Sequence, residues 1–301
     1  MEANETPSST RASSRKTRVY VFREWILEKY SSILETGDVI LDCAGGKGDL
    51  SFLLTNADGY RSVVLDPRIT KNRHIVKSIQ YLREHPEEAE KRAVQGLSTY
   101  QPLAALLPKF EGRELSDMQA PQHMRILVDK DLVEAVRRYK KDGIGSDERD
   151  KYWEKYWDQA QARGKEATPL GYKEEEVEEG ACCPTDPKKI KCDGPITMAR
   201  DAIETILRAK LVVGFHPDQA TDYAIEMAKA LGVPFAVVPC CVFPSEFPHR
   251  RLADGSKVKY YTELIKYLQE QHAEGVIERL SFHFSGGTAK DLVFFLLAAE
   301  A

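Results

Sequence analysis

The stretch "VILDCAGGKGDL", residues 39–50, joins an apolar run to three glycines and brackets them with carboxylates. An apolar run that breaks into glycines is a buried strand feeding a tight loop, the usual seat of a nucleotide-like cofactor. Asp42 precedes Gly45, Gly46 and Gly48, and Asp49 follows directly. A second run, "YRSVVLDP", ends on Asp66 and Pro67, where a carboxylate accepts hydrogen bonds from both hydroxyls of a ribose. A diphosphate cofactor sits on bare N–H groups at a helix N-terminus, and neighbouring carboxylates repel it. S-adenosylmethionine carries an ammonium, a sulfonium and no phosphate, so acids around the loop suit it. Asp66 by itself does not discriminate, because NAD sites use an acid at the same place. Asp42 and Asp49 favour the cation. A tight turn without a ligand is the bland alternative.

Two further stretches end where a parallel sheet binds its ligands, beyond the carboxyl ends of the strands. They are "GFHPDQATD", residues 214–222, and "VVPCCVFPSEFPHR", residues 237–250. His216 titrates near working pH and can serve as a general base; packing against the next helix is its structural alternative. Gln219 can orient an amide or a base edge, and Asp218 reads first as the N-cap of the following helix. Cys240 is a possible nucleophile toward a pyrimidine ring, but the paired cysteine on the preceding strand is replaced by His216-Pro217. The bland reading of Cys240 and Cys241 is that they are small buried residues at a pocket wall.

The elements that must position these residues follow from periodicity. Residues 18–34 place Val19, Phe22, Trp25, Ile26 and Ile33 at helical spacing. Strand, helix beginning near Asp49, and strand closed by Pro67 then form a right-handed crossover of a parallel sheet. "HMRILVDKDL" is the candidate third strand, ending at Asp129. From about 130 to 197 the chain becomes very polar and is expected to be a charged insertion. Within it, Tyr152, Trp153, Tyr156 and Trp157 share one helical face, as a stacking platform or, by preference, an apolar anchor. Helices and strands alternate again after 197, and two final strands around "SGGTAK" form a hairpin. One of those two must run antiparallel to the rest. The expected fold is α/β: a Rossmann-like, mostly parallel sheet with helices on both faces.

"LDCAGGKGD" followed by "VVLDP" resembles motif I and the acidic strand end of class I S-adenosylmethionine-dependent methyltransferases. The family's seven-stranded sheet with a terminal antiparallel hairpin matches the C-terminal reading. The first glycine of the family's motif is Ala44 here. The resemblance implies a cofactor site built from Asp42, Ala44, Gly45, Gly46, Gly48, Asp49, Asp66 and Pro67, with Asp129 at the adenine end. An ordinary surface acid at a helix start is the other reading of Asp129. The "PCC" strand end after a His-containing fourth strand is similar to a eukaryotic subgroup that includes tRNA acceptor-stem 2'-O-methyltransferases. That similarity implies RNA, tRNA or rRNA, as substrate; protein or a small molecule is the alternative. A methyltransferase-fold scaffold that binds partners through the insertion is a second hypothesis. A nicotinamide-dependent oxidoreductase is a third.

Bulk composition limits the rest. A formal net charge of -4 removes any argument from bulk charge for nucleic-acid binding. No apolar run approaches the ~20 residues of a membrane helix. The six cysteines include two adjacent pairs, so reduced thiols and an intracellular protein, cytoplasmic or nuclear, are expected. Residues 1–16 read as a disordered tail; a mitochondrial transit peptide is conceivable, against Glu2 and Glu5. The spacing of Cys182, Cys183 and Cys192 lacks paired zinc-site geometry, so no metal is expected.

Overall fold

The computed structural model describes residues 8–88, 101–141, 145–168, 190–280 and 291–297. Seven strands form one sheet: β1 (Val39–Cys43), β2 (Arg61–Leu65), β3 (Gln122–Met124), β4 (Ala209–Phe215), β5 (Phe235–Val238), β6 (Val276–Arg279) and β7 (Leu292–Leu296). Their spatial order is β3-β2-β1-β4-β5-β7-β6. The pairs from β3 to β5 are parallel, and β7 runs antiparallel to both β5 and β6. The hairpin strand that reverses is therefore β7. The "SGGTAK" connection lies outside the described residues.

Both faces of the sheet are covered, as near-continuous apolar strands require. Every residue of β1 is buried. Its Val39, Leu41 and Cys43 join one core, while Ile40 joins the other. Helix α1 (Ser8–Tyr30) seats Phe22, Trp25, Ile26 and Tyr30 on the Ile40 face, with α2 (Asp49–Asp58) beside it. A buried ion pair from Arg23 to Asp58 joins these two helices. Ile33 lies beyond the end of α1 and is 40% exposed, so the helical spacing holds only as far as Tyr30. Because α1 begins at Ser8, the tail expected over residues 1–16 is helical from that point; residues 1–7 lie outside the described residues. Helix α3 (Arg73–Glu84) and α4 (Gln101–Leu106) close a third cluster next to α2.

Part of the polar segment expected as a charged insertion packs on the opposite face. Helix α5 (Lys130–Lys140) buries Leu132, Val133, Ala135 and Val136 in the main core and packs on α8 (Thr221–Leu231). Helix α6 (Ser146–Ala167) packs on α5 and on α7 (Ala199–Leu207). The aromatic stripe is its anchor. Trp153 and Trp157 are fully buried, and their indole N–H groups donate to the carbonyls of Ala199 and Thr197 at 2.6 Å. A Cβ on Gly164 would strike the carbonyl oxygen of Arg125, so α6 lies directly on the chain that leaves β3. Residues 130–168 are thus part of the domain, and 169–189 lie outside the described residues. Helix α9 (Tyr261–Gln271) completes this layer. Among the described residues no helix is long and apolar enough to cross a membrane.

Candidate functional site

The loop from β1 to α2 is built on its glycines. Gly46 and Gly48 have φ of 58° and 77°, in the left-handed region that costs a side chain dearly. Ala44 adopts the same region at φ 54°, so it takes the conformation of the missing glycine and bears its strain. The carbonyl of Gly48 accepts the N–H of Phe52 at 2.8 Å, which starts α2.

Asp42 departs from its expected role. The carboxylate is fully buried beneath the loop, on the α2 face of the sheet, and does not reach a surface that a ligand can touch. Its Oδ2 accepts the Ser51 hydroxyl at 2.8 Å, and Ser62 donates to Ser51 in turn. Oδ1 has no hydrogen-bond partner. A Cβ on Gly45 would stand 2.5 Å from this carboxylate, so the loop rests on it. Burial, opposed by the Ser51 hydrogen bond and assisted by the charges of Asp66 and Asp49, pushes its pKa up to about 7. Asp42 therefore supports the loop from below.

Asp66, just past β2, is also buried, and its carboxylate accepts four hydrogen bonds. Oδ2 accepts the Gly46 N–H at 2.9 Å, which ties the glycine loop to the end of β2. Oδ1 accepts the Arg68 N–H at 2.8 Å, and the Arg68 guanidinium binds both oxygens at 2.9 Å. Arg68 was not singled out from the sequence, although "DPR" puts a cation two residues past the acid. Tyr20 of α1 is a second residue the sequence did not reveal. It is buried close enough to Asp49 for that charge to add to the rise in its pKa that burial causes.

Asp49 opens α2, as the macrodipole favours, and pairs with His74 at 3.2 Å. The Pro67 carbonyl accepts the Thr168 hydroxyl at 3.0 Å, so the C-terminal end of α6 reaches the same turn. Asp129 stands at a helix start. Its carboxylate accepts the Leu132 N–H at 2.9 Å as the N-cap of α5 and pairs with Arg163 of α6 at 3.0 Å. The strand expected to run to Asp129 stops at Met124.

At the ends of β4 and β5 the backbone is strained without glycine. His216, Asp218 and Phe243 have φ of 55°, 47° and 47°. Among the described residues, these and Ala44 are the non-glycine ones of positive φ, and all four lie beyond the carboxyl ends of parallel strands. Such residues persist where the surrounding structure holds them, commonly at functional sites. The His216 ring packs on Phe215 with centroids 4.5 Å apart, and Gln219 is exposed. Asp218 is the first residue of the turn Asp218–Ala220 and Pro217 stands at its N-cap position; the Asp218 carboxylate accepts the Cys240 thiol at 2.9 Å. Burial and this neighbouring carboxylate push the Cys240 thiol well up, which disfavours the thiolate a covalent mechanism needs. Cys240 as nucleophile therefore loses ground. Cys43, Cys240 and Cys241 form no disulfide. Cys182 and Cys183 lie outside the described residues.

Compared with protein-family models, with curated proteins and with solved structures, the chain has no significant match.

Proposed function

We propose that this protein is an S-adenosylmethionine-dependent methyltransferase whose acceptor is RNA. The observation that carries the reading is the switch point of the sheet. β1 and β4 are neighbours from which the chain winds in opposite directions, and ligands of open α/β sheets bind at such a point. A glycine loop leaves β1 there, Asp66 is bonded to that loop, and the strained His216 leaves β4. Three carboxylates, Asp42, Asp49 and Asp66, gather at the loop, with Arg68 set against one of them. A cationic ligand relieves their mutual repulsion; a diphosphate adds to it.

S-adenosylmethionine would supply an electrophilic methyl group when bound. The chain's share is to hold the cofactor and acceptor in line, since orientation accounts for most of the rate in such transfers. Asp66 takes the ribose hydroxyls after Arg68 leaves it, the N–H groups of Gly45 to Gly48 line the loop, and His216 takes the acceptor's proton. RNA as acceptor follows from the resemblance carried by "HP" at 216–217 and "PCC" at 239–241.

Calorimetric titration with S-adenosylmethionine, S-adenosylhomocysteine and NAD tests the reading. Binding of the first two, lost in Asp66→Ala, is expected. Binding of NAD alone overturns it. Labelled-methyl transfer to separated RNA and protein fractions then identifies the acceptor class.

A further inference from the structure

A mixed cluster of soft and hard donors lies at the ends of β4 and β5. The Cys240 and Cys241 thiols and a carboxylate oxygen of Asp218 all lie within 4.8 Å of one another. We propose that Asp218, Cys240 and Cys241 bind one thiophilic divalent cation of the zinc type. The proposal does not depend on the methyltransferase reading.

Adjacent residues of a strand point to opposite faces, so a Cys-Cys pair inside β5 could not chelate one ion. β5 ends at Val238, and Pro239 follows. Beyond it the alternation stops, and both thiols turn toward the same carboxylate. On the other side, the left-handed backbone at Asp218 (φ 47°) brings its side chain across from the end of β4. Phe243, at φ 47°, closes the turn behind the cysteines.

The spacing fits a tetrahedral ion. Bond lengths of about 2.3 Å to sulfur and 2.0–2.2 Å to oxygen put neighbouring donors about 3.5–3.8 Å apart. Donors that already lie within 4.8 Å need to close by about 1 Å at most. Cys240 and Asp218, hydrogen-bonded at 2.9 Å, would open slightly as the thiol proton leaves. Binding releases two protons, one from each thiol, and two thiolates with one carboxylate leave the ion-bound cluster at a net charge of about -1. Three protein donors leave the fourth position for water or an exogenous donor, the arrangement of an open rather than a closed site.

The test uses the full chain, stripped of metal under argon and titrated with Co²⁺ alone. The expected result is one Co²⁺ per chain, with a near-ultraviolet thiolate charge-transfer band and the intense visible bands of tetrahedral cobalt, bleached by an equivalent of Zn²⁺. Cys240→Ser and Cys241→Ser should each weaken the charge-transfer band and lower affinity at least about tenfold. Serine can keep the hydrogen bond to Asp218, and circular dichroism checks that each variant is folded. Asp218→Asn should keep the thiolate band and lower the affinity. The Cys182→Ser/Cys183→Ser/Cys192→Ser variant should bind as the wild type does. Absence of the tetrahedral spectrum in the wild type overturns the proposal. So does a spectrum that survives loss of both Cys240 and Cys241, or one lost with Cys182, Cys183 and Cys192.

Discussion

The chain turns sharply beyond the parallel strands on two sides of the switch point, and the two halves do so by different means. On the β1–β2 side, glycines supply most of the left-handed turns, and the Asp66 carboxylate is saturated by N–H donors from its own neighbourhood. On the β4–β5 side, His216, Asp218 and Phe243 take left-handed conformations that cost a side-chain-bearing residue roughly 1–2 kcal/mol each. Their carboxylate meets a thiol. In the first half the glycines let the chain close on its own side chains: Asp42 under Gly45, Arg68 beside Gly46, and Thr70, Pro121 and Val64 around Gly48. The second keeps its side chains in place and accepts the strain.

The largest expected effect sharpens that division. Asp66→Ala should weaken binding of S-adenosylhomocysteine by about 30- to 100-fold, the equivalent of losing charge-assisted hydrogen bonds. Asp218→Ala should change it by less than about twofold; comparable losses in both, measured by calorimetry, would break the division. Titration gives the next effect, within the first half alone. Asp42 has its pKa raised from 3.8 to about 7, so the folded state holds an extra proton between those values and stability falls as pH rises through them. His123 of β3, buried and lowered from 6.5 to about 4 chiefly by burial, acts in the opposite sense: stability rises with pH from 4 to 6.5. Each contributes on the order of 3 kcal/mol across its window, so the two largely offset. Denaturant unfolding of Asp42→Asn from pH 4 to 7 should therefore show a rising slope, and His123→Leu a falling one. Gly48→Ala should then cost about 1–3 kcal/mol, because the residue sits at φ 77° with Thr70, Pro121 and Val64 side chains at 3.1–3.2 Å from any Cβ. Ala44→Gly is the smallest. Relief of its left-handed strain, offset by the looser unfolded chain, should raise stability by no more than about 1 kcal/mol.

Much of the first half was legible because local chemistry dictates it. Strands such as 39–43 and 61–65 announce themselves by apolar runs, and glycines mark the turn between strand and helix. The roles of its acids were less so. Nothing in "LDCAGG" says that Asp42 faces α2 and Ser51, because that depends on which face of β1 the helix covers. Arg68 on Asp66 is a matter of side-chain direction. The segment from 130 misled for a different reason. Helix α5 buries only Leu132, Val133, Ala135 and Val136, and the basic residues around them dominate the composition. At Asp129 the N-cap signature was visible, and the carboxylate takes that place at the start of α5. The meeting of Cys240, Cys241 and Asp218 needs the end of β5 and the bend after β4 together, a tertiary fact without local signature.

The strand order has a consequence for how the molecule is made. β7, residues 292–296, lies between β5 and β6, so the stretch synthesised last of the seven becomes an interior strand. Until it is released, β5 has no partner on that side and β6 has none at all. A nascent chain at that stage carries an open apolar edge, with the Phe294 and Phe295 positions of the core unfilled. The sheet can close only by inserting a strand between two that are already made. Assembly of this half is accordingly late, non-local and dependent on whatever shields the edge in the interval.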